Sequence, residues 1–406
     1  MNNGLVAALV QEYKPDDKPL PPDFALIRLM NSEPKSLDKA LRSPDAVKWQ
    51  EALDYEINQL EKLGTWIVED LPKGQMAIPC SKVLKIKRGL DGEIQKYCVQ
   101  IITGSHRQVE GVNYTETFSA AAKMPTVHSI LANAAKQYWE IEHVNMKSAY
   151  LNAPLKETVY MQAPHGVLKQ GEEGKVLRLV KGLYGLKQAS RGWYLEMMRV
   201  FVENLGFKRS KADHSVFCSK EGDEHTVVAV ATDDMAVTSK RKMDIKKFKT
   251  EIKKHWDITN NGPINWFLGF KIKQDQNKRT LAINQCTYIM SMTEKFQLTN
   301  AKLAHTPMEP NVAFLSQQSP ATPNQLSRIK GVPYSEAIGS VLWPAVVSRL
   351  DIAFAVGILS QFIQNPGQAH WEALKRVISY LHTTKDLWLT FGGRENHLME
   401  GFCDAD

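Results

Sequence analysis

The sequence predicts an α+β fold, and three observations carry that prediction. Stretches with apolar residues at helical spacing are interspersed with stretches of period-two pattern. Short polar turns, Asp91-Gly92 and Glu221-Gly222-Asp223, join alternating runs, as antiparallel hairpins require. No regular strand–helix–strand repeat of the kind that builds a parallel sheet runs along the chain.

The elements follow in order. Residues 11–45 are rich in Pro, Asp, Lys and Ser and read as a linker or extended arm, so 1–45 is set apart. Ser43-Pro44-Asp45 then opens a helix. Its Trp49, Ala52, Leu53, Ile57, Leu60 and Leu63 fall at near-helical spacing, and Gly64 stops it. Residues 76–103 read as β-structure folded about Asp91-Gly92. A helix is predicted over 126–137. A strand follows over 138–151, where Trp139, Ile141 and His143 alternate with Glu140 and Glu142. Next come a helix near 189–205, a strand pair across 214–238, a basic helix at 240–256, strands at 264–274 and 278–284, and a helix at 286–297. Residues 305–333 hold five prolines among Ser, Thr and Gln and read as a second linker. Helices are predicted over 334–362 and 368–383. The latter carries the apolar stripe Trp371, Leu374, Val377, Ile378 and Leu381 after Asn365-Pro366-Gly367.

With 406 residues the chain is long enough for two or three domains, and 43% hydrophobic with 23% charged residues is ordinary globular composition. The net charge of +7 permits a polyanionic partner without demanding one. The early apolar run LVAALV (residues 5–10) is too short for a membrane span and lacks the flanks of a signal peptide. No membrane partner is expected. Five scattered cysteines (Cys80, Cys98, Cys218, Cys286, Cys403), with no C-x-x-C, read as buried free thiols of a reducing compartment.

The stretch VVAVATDDMAV, residues 227–237, sets Asp233 and Asp234 into an apolar run. Two buried adjacent acids need a positive partner, or desolvation and mutual repulsion cost several kcal/mol. Mg²⁺ is suitable, being a hard ion served by carboxylate oxygen. Adjacent strand residues point to opposite faces, so such a site needs a turn or a second strand. Taken alone, the pair reads as a solvated turn ahead of a metal site.

Several blocks change that reading. WQEALDYEINQLEKLGTW, VEGVNYTETFSAAAKMPTV, NMKSAYLNAPLKETVYMQAPHG, KGLYGLKQASRGWY, ATDDMAV, WFLGFKI and GSVLWPAVVSRLDIAFAVGILSQF occur in this order. Together they resemble the reverse transcriptase of copia-type retrotransposons, from about Ala46 to the last residue. The resemblance implies a right-hand polymerase fold with fingers and palm over 46–283, a thumb-like region over 284–304, a linker over 305–333 and a connection-like region over 334–395. The final segment 396–406, with GFCDAD, resembles the opening of a ribonuclease H domain whose first metal-binding acid falls at Asp404. No ribonuclease H activity is expected from this chain alone.

By the same resemblance the activity is RNA-directed DNA polymerisation with two Mg²⁺. The partners are an RNA or DNA primer–template and deoxynucleotides, and the setting is cytoplasmic, within a virus-like particle, or nuclear. Two palm acids fall on a Y-V-D-D hairpin, here Ala231-Thr232-Asp233-Asp234, so Asp233 and Asp234 are the catalytic and metal-binding pair. The third acid belongs to a D-V-K-T-A-F-L block, and its position is Asn145. An amide has the shape of the acid without its charge, and Mg²⁺ binding is largely a charge effect. The fingers strand of the family is similar to K-A-R-L-V-A-K-G, whose bases approach the triphosphate. Here Cys98, Gln100 and Gly104 stand at the basic positions, each removing a charge-assisted contact. The resemblance therefore implies a degenerate or repurposed polymerase, with Lys96 or Arg107 the candidates to substitute.

Other residues carry two readings each. Tyr150 stands where the family has an aromatic beside the nucleotide sugar, and reads equally as a core tyrosine. Lys187 and Arg191 are candidate phosphate contacts, with Ser190 at the family's proline position. The helix 240–256 holds eight Lys or Arg residues against Asp244 and Glu251. Its Ile245, Phe248, Ile252 and Trp256 form an apolar stripe, so Lys246, Lys247 and Lys249 are expected outward. They read as a solvated face or as a grip on a nucleic-acid backbone. Trp266 and Gly269 lie in a block similar to the strand pair that cradles the primer end. His143, next to the altered position, reads as a structural histidine.

Overall fold

The computed structural model describes residues 34, 36–88, 94–221, 224–310 and 312–392. The predicted turns at Asp91-Gly92 and Gly222-Asp223, most of the N-terminal arm, and the segment with Cys403 and Asp404 lie outside these residues. The chain forms two compact units. One runs to Arg107 and includes Tyr160–Arg178; the other is Gln108–Val159 with Leu179 onward.

The first unit begins with α1 (Leu37–Leu41) and α2 (Ala46–Lys62). The arm expected over 11–45 therefore ends in a helical turn: the Ser36 side chain accepts from the Lys39 amide and Ala40 is buried. On α2 the buried stripe is Trp49, Leu53, Ile57 and Leu60. Gly64, at φ +64°, closes the helix. Its N–H donates to Glu61 O at 2.8 Å and that of Thr65 to Leu60 O at 3.0 Å, a Schellman ending. Strands β1 (Trp66–Glu69), β2 (Ala77–Ile78), β6 (Pro154–Gln162) and β7 (Val176–Lys181) form a sheet of order β1-β7-β6-β2. Strands β3 (Cys80–Arg88) and β4 (Ile94–Thr103) make the expected antiparallel hairpin. Trp49 meets Tyr97 of β4 edge-on, with ring centroids 4.8 Å apart.

The second unit is built on a six-stranded antiparallel sheet. Its strands are β5 (Glu140–Met146), β8 (Lys208–Arg209), β9 (Val216–Glu221), β10 (Glu224–Ala231), β11 (Asp234–Ser239) and β12 (Ile258–Pro263), in the order β12-β5-β11-β10-β9-β8. The strand pair expected over 214–238 is thus three strands. Helices α4 (Ala189–Arg199) and α5 (Lys242–Ile252), with the π-helical turn Val200–Asn204 that follows α4, bring Trp193, Phe201, Phe248 and Ile252 against Val144, Met146, Phe217, Met235 and Val237. On the opposite face, α3 (Met124–Lys136) and strands β13 (Trp266–Phe267), β14 (Phe270–Asp275) and β15 (Thr280–Asn284) bring Leu131, Phe267, Phe270 and Ile283 against Ile141, Ala229 and Ala236. Both faces of the sheet are covered, so β5 buries Glu142 and His143 as well as its apolar residues instead of alternating.

Helices α6 (Cys286–Lys295), α8 (Tyr334–Val347), α9 (Ala353–Ser360) and α10 (Gln368–Thr383) share a separate apolar core. The single helix expected over 334–362 is two. Arg349, with its side chain 3% exposed, binds Asp351 at 2.8 Å and Thr384 O at 3.1 Å at the break. The linker expected over 305–333 contains α7 (Pro323–Ile329), started by a Thr322–Gln325 capping box. Strand β16 (Leu389–Gly392) returns to pair with β15. The described cysteines Cys80, Cys98, Cys218 and Cys286 are half-buried rather than buried, and Cys80, Cys98 and Cys218 are free thiols. Among the described residues no helix is long and apolar enough to cross a membrane.

Candidate functional site

Strands β10 and β11 form a hairpin in which Ala231 pairs with Asp234, leaving Thr232 and Asp233 as a two-residue turn. Thr232 sits at φ +61°, a left-handed conformation that costs a β-branched residue on the order of 1–3 kcal/mol. Two hydrogen bonds hold the turn. Trp193 Nε1 donates to Thr232 O at 2.7 Å, and the Met146 amide donates to Asp233 O at 2.7 Å. The turn thereby brings both acids beside β5, as a shared site requires.

Asn145 of β5 is the direct ladder partner of Asp234. Its Nδ2 donates to Asp234 Oδ1 at 2.9 Å and lies 3.5 Å from Asp233 Oδ2. His143, two residues along on the same face of β5, reaches Asp234 Oδ1 with Nε2 at 2.8 Å. Burial and the neighbouring Asp234 charge push the Asp233 carboxyl above its ordinary value. Burial would also raise Asp234, but hydrogen bonds from His143 and Asn145 overcome it and hold this acid below the ordinary value.

A pair of divalent ions some 3.5–4 Å apart needs several anionic oxygens around it. The acids here are two, and the third position turns an N–H donor toward both. Among the described residues no group of three or more His, Cys, Asp or Glu side chains is arranged to hold a metal ion. This donor set does not fit a two-ion centre.

The remaining predicted residues separate. Tyr150 lies in the helical turn Ala149–Asn152, edge-on to Tyr184 at 5.0 Å, and its hydroxyl accepts from Ser190 Oγ at 3.1 Å. Lys187 is bonded to the Tyr114 hydroxyl at 3.1 Å. Arg191 is paired with Glu116 and donates to Phe118 O at 3.1 Å. Both cations thus already have partners within the protein. Gln100 is half-buried on β4 of the first unit, opposite Val83. Gly104 follows β4, where a Cβ would fall 2.7 Å from Pro79 Cγ. Trp266 is 38% exposed, and Leu268 and Gly269, at φ +46° and +85°, form the two-residue turn between β13 and β14.

Lys246 and Lys247 are exposed on α5. Lys249 corrects the expectation of an outward lysine. It is 8% exposed, paired with Glu142 of β5 and with Asn260 Oδ1 at 2.5 Å. The buried stripe of α5 contains residues 245, 248, 249 and 252, so an i+4 position from Ile245 faces the sheet whatever its charge. The role of His143 was hidden for a related reason. Its partner Asp234 lies 91 residues away in sequence.

The reverse transcriptase (RNA-dependent DNA polymerase) family profile matches residues 63–310. The chain is 34% identical over 375 residues, 92% of its length, to the retrovirus-related Pol polyprotein from transposon TNT 1-94 of Nicotiana tabacum. It is 28% identical over 384 residues, 94% of its length, to that from transposon RE2 of Arabidopsis thaliana. It spans 28% and 26% of those polyproteins' own lengths. A foamy viral protease–reverse transcriptase in complex with double-stranded DNA aligns over 92% of this chain and 63% of that one, at 14% identity and a TM-score of 0.41. The family match covers more than half of the chain: the chain belongs to the reverse transcriptase (RNA-dependent DNA polymerase) family, as a copia-type domain.

Proposed function

We propose that this chain is the polymerase part of a longer retrotransposon polyprotein, impaired in nucleotidyl transfer and retaining a surface for RNA or DNA. One observation carries the impairment. Asn145 stands directly across from Asp234 and turns hydrogen donors, not a third carboxylate, toward the acid pair. Phosphoryl transfer is catalysed mainly by positioning and electrostatics, and losing one strong stabiliser costs about 10²–10³ in rate. The lost basic positions at Gln100 and Gly104 support the same reading. Exposed Lys246 and Lys247 support a sequence-independent hold on a phosphate backbone.

Primer extension on an annealed RNA template, with deoxynucleotides and Mg²⁺, tests this. The wild-type chain is expected to extend no faster than the Asp233→Ala/Asp234→Ala variant. Clear Mg²⁺-dependent extension above that control overturns impairment.

A further inference from the structure

The acid pair is tied into a wider polar network that the loss of a third acid does not require. His143 has both ring nitrogens engaged. Nδ1 lies 3.0 Å from Asn261 Nδ2, and Nε2 lies 2.8 Å from Asp234 Oδ1. With the Asn261 amide donating, Nδ1 accepts; Nε2 then carries the hydrogen and donates to the carboxylate. Asn261 is aimed there by the backbone. The ladder between β12 and β5 pairs Asn260 with Val144 and Gly262 with His143, so Asn261 is the extra residue of a β-bulge. Gly262, at φ +73°, permits the bulge.

The two donors to Asp234 converge on a single oxygen. His143 Nε2 and Asn145 Nδ2 lie 2.8 and 2.9 Å from Oδ1. A carboxylate oxygen offers two in-plane lone pairs, and both are in use. An ion approaching Oδ1 must displace two charge-assisted hydrogen bonds. Replacing Asn145 by an acid removes one of them. His143 still blocks the other direction, with its side chain 11% exposed and its ring edge-on to Phe267 at 5.9 Å.

We propose that His143, fixed by Asn261, is a positioning residue that keeps Oδ1 of Asp234 hydrogen-bonded and so weakens the hold of this acid on a metal ion, so that restoring the acid at position 145 does not by itself restore the ion site. The inference rests on the reading of an impaired palm and adds a second cause to it. Asn145 removes a charge, and His143 remains on Oδ1 of Asp234 whatever stands at position 145.

The test is Mn²⁺ binding by the whole chain, read from the electron paramagnetic resonance signal of free Mn²⁺, which is independent of polymerisation. Asn145→Asp is expected to bind Mn²⁺ only weakly. Asn145→Asp with His143→Leu is expected to bind about tenfold more tightly, the worth of one hydrogen bond to a charged group. Asn145→Asp with Asn261→Leu keeps the ring and releases only its tautomer; a gain in the same direction is expected. A purely structural histidine would lower melting temperature in these variants without raising Mn²⁺ affinity. Affinities in both double variants within about twofold of Asn145→Asp overturn the role of His143 while leaving the impaired palm standing. Wild-type chain binding Mn²⁺ as tightly as Asn145→Asp with His143→Leu overturns the impaired palm itself.

Discussion

Lys249 and Glu142 form a buried ion pair between α5 and β5, with side chains 10% and 9% exposed. Asn260 of β12 adds an acceptor to the ammonium at 2.5 Å. A buried charge deprived of its partner costs on the order of 3–5 kcal/mol. Lys249→Met is therefore expected to destabilise the chain by about that much in urea unfolding. Lys246→Gln and Lys247→Gln, on the exposed face, should each shift stability by less than ~0.5 kcal/mol. Together they are expected to weaken RNA affinity and flatten its dependence on salt, measured by fluorescence anisotropy between low and high salt. RNA affinity indifferent to both changes would remove α5 from the nucleic-acid surface.

The two acids should titrate in opposite senses. Asp234 is held below its ordinary value, so its contribution is complete above the unfolded value of about 3.9 and is lost as pH falls through the folded one. Asp233 is raised, so stability present at low pH is lost as pH rises above about 3.9 through the folded value. At neutral pH, Asp234→Asn is expected to destabilise and Asp233→Asn to stabilise. Thermal melts from pH 3 to 7 check this, and the same sign for both variants would contradict it.

Thr232 occupies a left-handed conformation that glycine adopts without steric cost. Thr232→Gly is expected to raise stability by up to ~1 kcal/mol, since strain relieved exceeds the backbone entropy added. Trp193→Phe leaves Thr232 O without its donor and should cost about 1–3 kcal/mol. Chemical denaturation of both variants measures the two effects.

A basic residue cannot simply be restored after β4. Gly104→Lys puts a Cβ 2.7 Å from Pro79 Cγ and 3.2 Å from Pro79 O. A loss of about 1–3 kcal/mol is expected, as for overpacking. Gln100→Arg, at a half-buried position, is expected to be tolerated with a smaller loss. Urea midpoints for the pair decide it: equal stability for the two variants would show that Pro79 yields at no cost.

Local chemistry carried much of the fold. Gly64 ends α2, and the apolar stripe of α10 is buried except for the half-buried Trp371, both as read from spacing. Strand β12, with the sequence ITNNGP, escaped notice because it has neither apolar alternation nor β-branched density; pairing with β5 makes it a strand. The helix predicted over 334–362 missed its break because Arg349 is anchored by Thr384, far along the chain.

The sequence by itself determined the family and the α+β class, and it singled out Asp233, Asp234 and Asn145 as candidates for one site. Those are matters of residue type and order, which survive without coordinates. Only the tertiary structure decided what surrounds the acids: that Asn145 faces Asp234 in register, that a bulge turns Asn261 onto His143, and that Lys249 points inward to Glu142. Hydrogen bonds are short-ranged and directional, so their partners are fixed by strand register and helix rotation rather than by proximity along the chain.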